Sequence, residues 1–306
     1  MSRLNPINQT KLYGLNKYMN EFVFLENQNK FPKKILFTGQ KGIGKSTLAY
    51  HYINYVLSKD GELCYDLNKY EIDVENSTYR TISNGSNPNL FLIDLEKEKK
   101  FIDINQVRDL ILKLNKSSFN LKPRFILIDN IEFLNLNSIN ALLKIIEEPT
   151  ENTYFILINN SSKRLIPTLS SRCINYKISI SNNESLEISK KLLNGELSKK
   201  VNRDILNYYA TPGFIYNVVQ FSRENNYNLQ NVSLKELLVI LIEDKQYKNR
   251  IFSYIFFDLI EFYFRKIFLS FDNKIIKKYE YFIKRISKIK KFNLDEESLF
   301  LELRDE

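Results

Sequence analysis

The sequence predicts an α/β fold built on a parallel sheet over residues 1–176, followed by a chain made of helices alone. Three observations carry this. Short apolar runs rich in β-branched and aromatic residues recur along the first part, each separated from the next by a segment with helical spacing. A glycine-rich segment joins the first such run to a helical one. After about Tyr176 strand-like runs cease. Alternation of strands and helices implies parallel strands with crossover helices, whereas an unbroken series of helices implies a separate all-α part.

Taken in order, Lys34–Thr38 reads as the first strand and Lys45–Leu57 as the helix after it. Leu90–Leu95 reads as a second strand, and Ile104–Leu114 as a helix opened by Asp103, a short acceptor side chain suited to the N-cap. Phe125–Asp129 and Tyr154–Asn159 read as further strands, flanking a helix over Ser138–Glu148 that Pro149 stops. Beyond them, breaks near Thr211-Pro212-Gly213 and Asn225–Asn231 divide the helical part into a small segment, 177–228, and a last all-α domain, 229–306. In Lys274–Lys291 the apolar residues Ile275, Phe282, Ile286 and Ile289 keep helical spacing, and the Lys and Arg residues between them read as a solvated face.

Composition limits the functional classes. With 43% hydrophobic residues in 306, the chain has enough apolar surface for two or three packed domains. Its richest apolar stretch, Ile251–Leu269, is interrupted by Asp258, Glu261, Arg265 and Lys266, too much charge for a membrane span, and the start has no signal-peptide core. A soluble, cytoplasmic protein is expected. Cys64 and Cys173 are the only cysteines, so neither a disulfide framework nor a four-thiolate zinc site is expected. The net charge of +9 suits an anionic partner such as DNA, but the lysines are scattered and heavy Asn and Ile usage fits a compositional drift as well.

Gly39-Gln-Lys-Gly42-Ile-Gly44-Lys45-Ser46-Thr47 satisfies G-x-x-x-x-G-K-[ST] between a strand and a helix. The glycines let backbone N–H groups turn onto phosphates, Lys45 offers a point charge to the β and γ oxygens, and Ser46 is placed to ligate Mg²⁺ at the helix N-terminus. ATP or ADP with Mg²⁺ is the expected ligand. Phe125-Ile-Leu-Ile-Asp129 is an apolar strand ending in a carboxylate, the form of a Walker B strand, in which Asp129 serves the Mg²⁺ shell. Asn130 follows it, and an amide is no general base. Glu132, two residues on, is the nearest carboxylate able to reach in.

Four further segments resemble the clamp-loader subunits of bacterial DNA polymerase III, a branch of the AAA+ P-loop proteins. Asn140-Ala-Leu-Leu-Lys144-Ile-Ile-Glu147-Glu148-Pro149 is similar to the helix after their Walker B strand, and Ser171-Arg172-Cys173 to their SRC motif. Asn84-Gly-Ser-Asn-Pro88-Asn-Leu90 resembles their H-P-D segment with both polar residues replaced by Asn, and Ile104-Asn-Gln106-Val-Arg108 resembles the stretch after it. The resemblance implies an AAA+ module, a lid over 177–228 and an oligomerising collar over 229–306. It also implies a hetero-pentamer with motor (gamma/tau) and delta subunits that acts on the sliding clamp and primed DNA.

Within that family the motor type carries a four-cysteine zinc cluster, an Asp-Glu pair in Walker B and a sensor 2 Arg in the lid, and this chain has none of them. Here Cys64 stands alone, Asn130 replaces the Glu, and the lid motif reads Ala210-Thr-Pro-Gly213-Phe214-Ile-Tyr216. The pattern resembles the delta-prime type better, as does Asn293-Leu-Asp295 before the last helix, although an intact Lys45 departs from that type's often degenerate loop. The resemblance implies that Arg172 is an arginine finger acting on a neighbour's nucleotide and that sensor 1 falls at Asn159 or Asn160, of which Asn159 is taken. Intrinsic ATPase is expected to be weak or absent. A motor ATPase of the same assembly, with Glu132 standing in, and a small-molecule P-loop kinase are the alternatives. Glu147 and Glu148 read as helix-end or surface ion-pair residues, and Cys173 as a packing residue.

Overall fold

The computed structural model describes residues 4–304 apart from 97–98, 100, 117–119, 161–164, 166, 198–199, 207–208, 249, 269–272 and 293–296. The chain forms two compact units, Met1–Ser185 and Leu186–Glu306.

In the first unit α1 (Asn16–Asn27) precedes β1 (Lys34–Thr38), α2 (Lys45–Ser58) and α3 (Ser77–Ser83). Then come β2 (Leu90–Ile93), α4 (Ile104–Leu114), β3 (Arg124–Ile128) and α5 (Leu136–Glu147). β4 (Thr153–Asn159), the short α6 (Pro167–Ser170) and β5 (Ile174–Lys177) complete it. The strands pair in parallel in the order β2-β3-β4-β1-β5. β1, β3 and β4 are buried almost throughout, as central parallel strands covered on both faces must be. On one face α4 and α5 pack Val107, Leu110, Leu142 and Ile146 onto Ile126, Ile128 and Leu157. On the other, Phe22 of α1 stacks on Phe37 at 5.3 Å and meets Tyr52 of α2 edge-on, and Tyr52 in turn meets Phe125 edge-on.

Caps fix the crossovers. Asp103 accepts from the Asn105 N–H at the start of α4, as expected, and Asn135 accepts from the Ser138 N–H, so α5 starts at Leu136, two residues before the predicted start. Four elements of this unit, α1, α3, α6 and β5, are not predicted by sequence periodicity. α1 buries only Met19, Phe22 and Val23, a weak signal, and β5 is an edge strand with three of its four residues exposed.

The second unit is helical. α7 (Asn182–Leu192) spans the boundary, followed by α8 (Arg203–Leu206) and α9 (Pro212–Glu224). α10 (Leu234–Glu243), α11 (Arg250–Phe268), α12 (Asn273–Phe292) and α13 (Glu297–Arg304) follow. Thr211 caps α9 with Pro212 in its first turn, and Ser233 with Glu236 forms a capping box on α10, so both predicted breaks are helix boundaries. Phe282, Ile286 and Ile289 of α12 are buried, and Lys277, Lys278, Lys284 and Lys288 are exposed. Ile275 lies outside the residues whose side chains are described, and Asn293–Asp295 outside the described residues altogether.

One hydrophobic core runs from Leu193 to Leu303 and joins helices on either side of residue 228: Phe214 of α9 meets Phe262 of α11 edge-on, and Lys266 of α11 pairs with Asp204 of α8 at 2.5 Å. Among the described residues no helix is long and apolar enough to cross a membrane.

Candidate functional site

The loop between β1 and α2 is shaped by its glycines. Gly42 (φ 87°) and Gly44 (φ 97°) occupy the left-handed region, the second as the residue capping α2, so the loop's N–H groups turn back over the helix N-terminus. Gly39 is required for a different reason: a Cβ there would collide with the Ile178 carbonyl, whose own N–H is tied to the Thr38 carbonyl at 2.8 Å. Ser46 and Thr47, half-buried, lie in the first turn of α2.

Lys45 is 3% exposed, and its Nζ donates to the Gly39 and Gln40 carbonyls at 3.0 and 2.7 Å. Burial lowers its pKa to about 8, against the opposing fields of Asp129 and Glu132. The lysine therefore holds a charge that burial disfavours, directed onto two loop carbonyls. Such a site is complementary to a polyanion.

The Ser46 hydroxyl donates to the Asp129 carboxylate, bringing the two predicted Mg²⁺ residues together. Beyond Asp129 the backbone turns sharply, because Asn130 adopts the left-handed conformation (φ 55°) that Asn tolerates better than most residues. Its side chain is a bridge: Nδ2 donates to Asp94 Oδ1 at 2.7 Å, and Oδ1 accepts from Asn160 Nδ2 at 3.0 Å. The turn begins a 3-10 segment, Ile131–Phe133, which brings the Glu132 carboxylate to the Asn160 backbone N–H, 3.2 and 3.3 Å from its two oxygens.

Of the two sensor 1 candidates, Asn160 brings its side-chain amide to Asp129 at 3.3 Å, and Asn159, the last residue of β4, is buried and in register with Thr38. The Asn87-Pro88-Asn89 segment is structural. Asn89 exchanges hydrogen bonds with Asn120 and accepts from the Phe125 N–H at 2.7 Å through its carbonyl, stitching together the starts of β2 and β3.

Arg172 lies between α6 and β5. It donates through Nε to Glu147 at 2.6 Å and through Nη1 to the Thr168 carbonyl at 2.7 Å. The pair is exposed, with side chains 36% and 49% accessible. Because Ile174 is in register with Ile35, Arg172 stands at the amino-terminal end of the sheet, while Gly39–Ser46 leaves the carboxyl end of β1. Cys173 packs against the α4–α5 core, and burial raises its thiol to about 11, leaving it protonated and unreactive at neutral pH. Cys64 is exposed.

A parallel sheet in this strand order, with a glycine loop, a buried lysine and a Ser–Asp pair at its carboxyl end, defines a P-loop module of the AAA+ kind. The profile of the family described as DNA polymerase III, delta subunit, matches residues 14–182, more than half of the chain, and the chain belongs to that family. It is 32% identical over 139 residues to the DNA polymerase III subunit delta' of Pseudomonas aeruginosa; the match covers 45% of this chain and 40% of that protein. It is 27% identical over 236 residues to the subunit delta' of Buchnera aphidicola from Schizaphis graminum, covering 74% of this chain and 68% of that one. The match thus spans less than half the length of the Pseudomonas relative. A solved gamma subunit-related protein of DNA polymerase III from Thermotoga maritima is similar with a TM-score of 0.48 at 16% identity, over 93% of this chain and 98% of that one.

Proposed function

We propose that the chain is a clamp-loader subunit of the delta-prime type that acts in DNA replication in the cytoplasm. In this reading it binds ATP or ADP with Mg²⁺ at its own phosphate loop and supplies Arg172 to the nucleotide of a neighbouring motor subunit. Its partners are the motor (gamma/tau) and delta subunits of a hetero-pentamer, and through them the sliding clamp and primed DNA. Residues 1–176 serve as the AAA+ module, 177–228 as the lid and 229–306 as the collar.

The observation that carries this reading is the position of Arg172. β1 has five residues rising about 3.3 Å each, so the sheet separates Arg172 from its own phosphate loop by about 15 Å, farther than a side chain extends. Its guanidinium is at the surface, in an ion pair whose exposure makes it worth about 1 kcal/mol or less, so recruiting it to a partner's phosphate costs little. A finger at a developing γ-phosphate charge contributes about 10³ to 10⁵ in rate, or roughly 4 to 7 kcal/mol of barrier, several times that cost.

The residues of the chain's own site fit a nucleotide. Lys45 and the loop N–H groups would hold the phosphates, and Ser46 with Asp129 would hold Mg²⁺, which when bound neutralises charge on the β and γ oxygens.

The test is DNA- and clamp-stimulated ATPase of a complex reconstituted with cognate motor and delta subunits, wild type against Arg172→Ala. The expected result is intact assembly with a rate loss of about 10³ or more. Failure of the chain to assemble would refute the reading, and unchanged turnover in an intact complex would reduce Arg172 to its ion pair with Glu147.

A further inference from the structure

The helical unit holds a cavity that no step of the clamp-loader reading uses. It has a volume of about 420 Å³ and lies between the last turn of α9, the turn after that helix and Lys200. Hydrogen bonds fix its walls. Asn226 adopts the left-handed conformation (φ 58°) and the Tyr227 N–H returns to the Ser222 carbonyl at 2.8 Å, so the chain folds back at the end of α9. The Tyr227 ring stacks on Phe221 at 6.0 Å, and its hydroxyl donates to Asp244 at 2.9 Å. Asn202, two residues after Lys200, donates its N–H to the Leu229 carbonyl at 2.9 Å and its side-chain amide to the Val232 carbonyl at 3.2 Å, which ties that segment to the same turn. The cavity is therefore preformed, and its size falls in the range of small-ligand sites, about 300 to 1,000 Å³.

Its chemistry is one-sided. Among the described residues no carboxylate lines it, whereas Lys200, Arg223, Asn226 and Asn228 all carry donors. Lys200 is already engaged, its Nζ donating to the Leu193 and Asn194 carbonyls at the end of α7. Arg223 is exposed and has no ion pair among the described residues, and Asn228, whose Oδ1 accepts from the Gln230 N–H at 3.0 Å, keeps its Nδ2 donors. One unengaged guanidinium beside amide donors matches a carboxylate. A phosphate fits less well, because the cavity forms at the carboxyl ends of α7 and α9, where the helix dipoles disfavour a doubly charged anion. Tyr227 and Leu229 add an apolar wall. Arg223, Asn226 and Asn228 are exposed, so the cavity opens to solvent and has room for the end of a longer chain. We infer that it is a docking site for the carboxyl-terminal residue of a partner polypeptide, with Arg223 on the terminal carboxylate and Tyr227 and Leu229 against a large apolar side chain. This role is independent of the phosphate loop and of Arg172.

The experiment is fluorescence anisotropy on the full chain with fluorescein-labelled Gly-Gly-Ser-Phe and Gly-Gly-Ser-Leu, each as the free acid and as the carboxyl-terminal amide. Wild type is compared with Arg223→Gln, which removes the charge at an exposed position and leaves the core untouched, and with Lys288→Gln, which removes an exposed cation of α12 outside the cavity. The free acid of at least one peptide is expected to bind about tenfold more tightly than its amide, a difference that Arg223→Gln abolishes and Lys288→Gln keeps within about twofold. No binding of either peptide, equal binding of acid and amide, or an Arg223→Gln protein that behaves as wild type overturns the inference. Displacement of the peptide by inorganic phosphate or single-stranded oligothymidine at lower concentration than by unlabelled peptide overturns it in favour of a phosphate site. N-acetylphenylalanine binding as tightly as the peptide overturns the assignment to a polypeptide end in favour of a free carboxylate. All of these outcomes leave the Arg172 assay to decide the assembly reading.

Discussion

Burial of Lys45 without a phosphate is an energetic cost that can be measured. Its pKa falls from 10.5 to about 8, so at about 1.36 kcal/mol per pH unit the folded chain bears a penalty of about 3 kcal/mol at neutral pH. Between pH 8 and 10.5 the unfolded chain binds a proton that the folded chain does not, so stability rises with pH across that window and the penalty remains whole below it. Lys45→Met removes the charge while keeping much of the volume. Two carbonyl acceptors lose their partner, which returns roughly 1 to 2 kcal/mol, so the ligand-free variant is expected to be more stable at pH 7 by about 1 to 2 kcal/mol.

The pH dependence isolates the charge from the lost hydrogen bonds. From pH 7.5 to 9.5 the wild type should gain about 2 kcal/mol relative to the variant, because every other titrating group is common to both. Hydrogen exchange of β1 and α2 amides in ligand-free protein, at both pH values, reads this difference in the unit that contains the loop. A parallel pH dependence in the two proteins, or a variant less stable at pH 7 by several kcal/mol, would refute the account of a strained, phosphate-seeking lysine. Mg-ATP should reverse the order, stabilising wild type and leaving Lys45→Met unchanged.

Two other predictions concern the scaffold. His51 is fully buried between the Tyr65 hydroxyl at 2.9 Å and the Gln9 carbonyl at 3.0 Å, and burial lowers its pKa to about 4. From pH 7 to 5 the unfolded histidine takes up a proton that the folded one refuses, costing about 2 kcal/mol of stability, and His51→Gln should flatten this acid limb in urea unfolding. Gly39→Ala drives a methyl group into the Ile178 carbonyl, so it should weaken nucleotide binding at least tenfold and lower the melting temperature, whereas Gly85→Ala, with open space around it, should cost only the strain of its left-handed turn (φ 74°).

The parts of the fold legible in the sequence were those set by local periodicity. Buried parallel strands are continuous apolar runs, so Lys34–Thr38 was placed to the residue, and the glycine loop declared itself by spacing. β5 has an edge environment and its sequence, Ile-Asn-Tyr-Lys, shows no core face to detect. That the Asn160 amide reaches Asp129 depends on how the chain leaves β4, information held by the strand's register rather than its composition. The Arg172–Glu147 pair joins residues 25 apart through the α5–β4 crossover, beyond any local pattern. Glu132 had one usable signal, an Asn after the strand, a residue type at home in the left-handed turn that folds the carboxylate back.

The single core of the helical unit has a mechanical meaning. Since Phe214 and Phe262, and Asp204 with Lys266, bind helices from both sides of residue 228, severing the chain there would open an apolar wound on each fragment rather than liberate two independent domains. A tightly packed interior resists partial slippage, so the lid and collar segments proposed above are expected to move together where they share this interior.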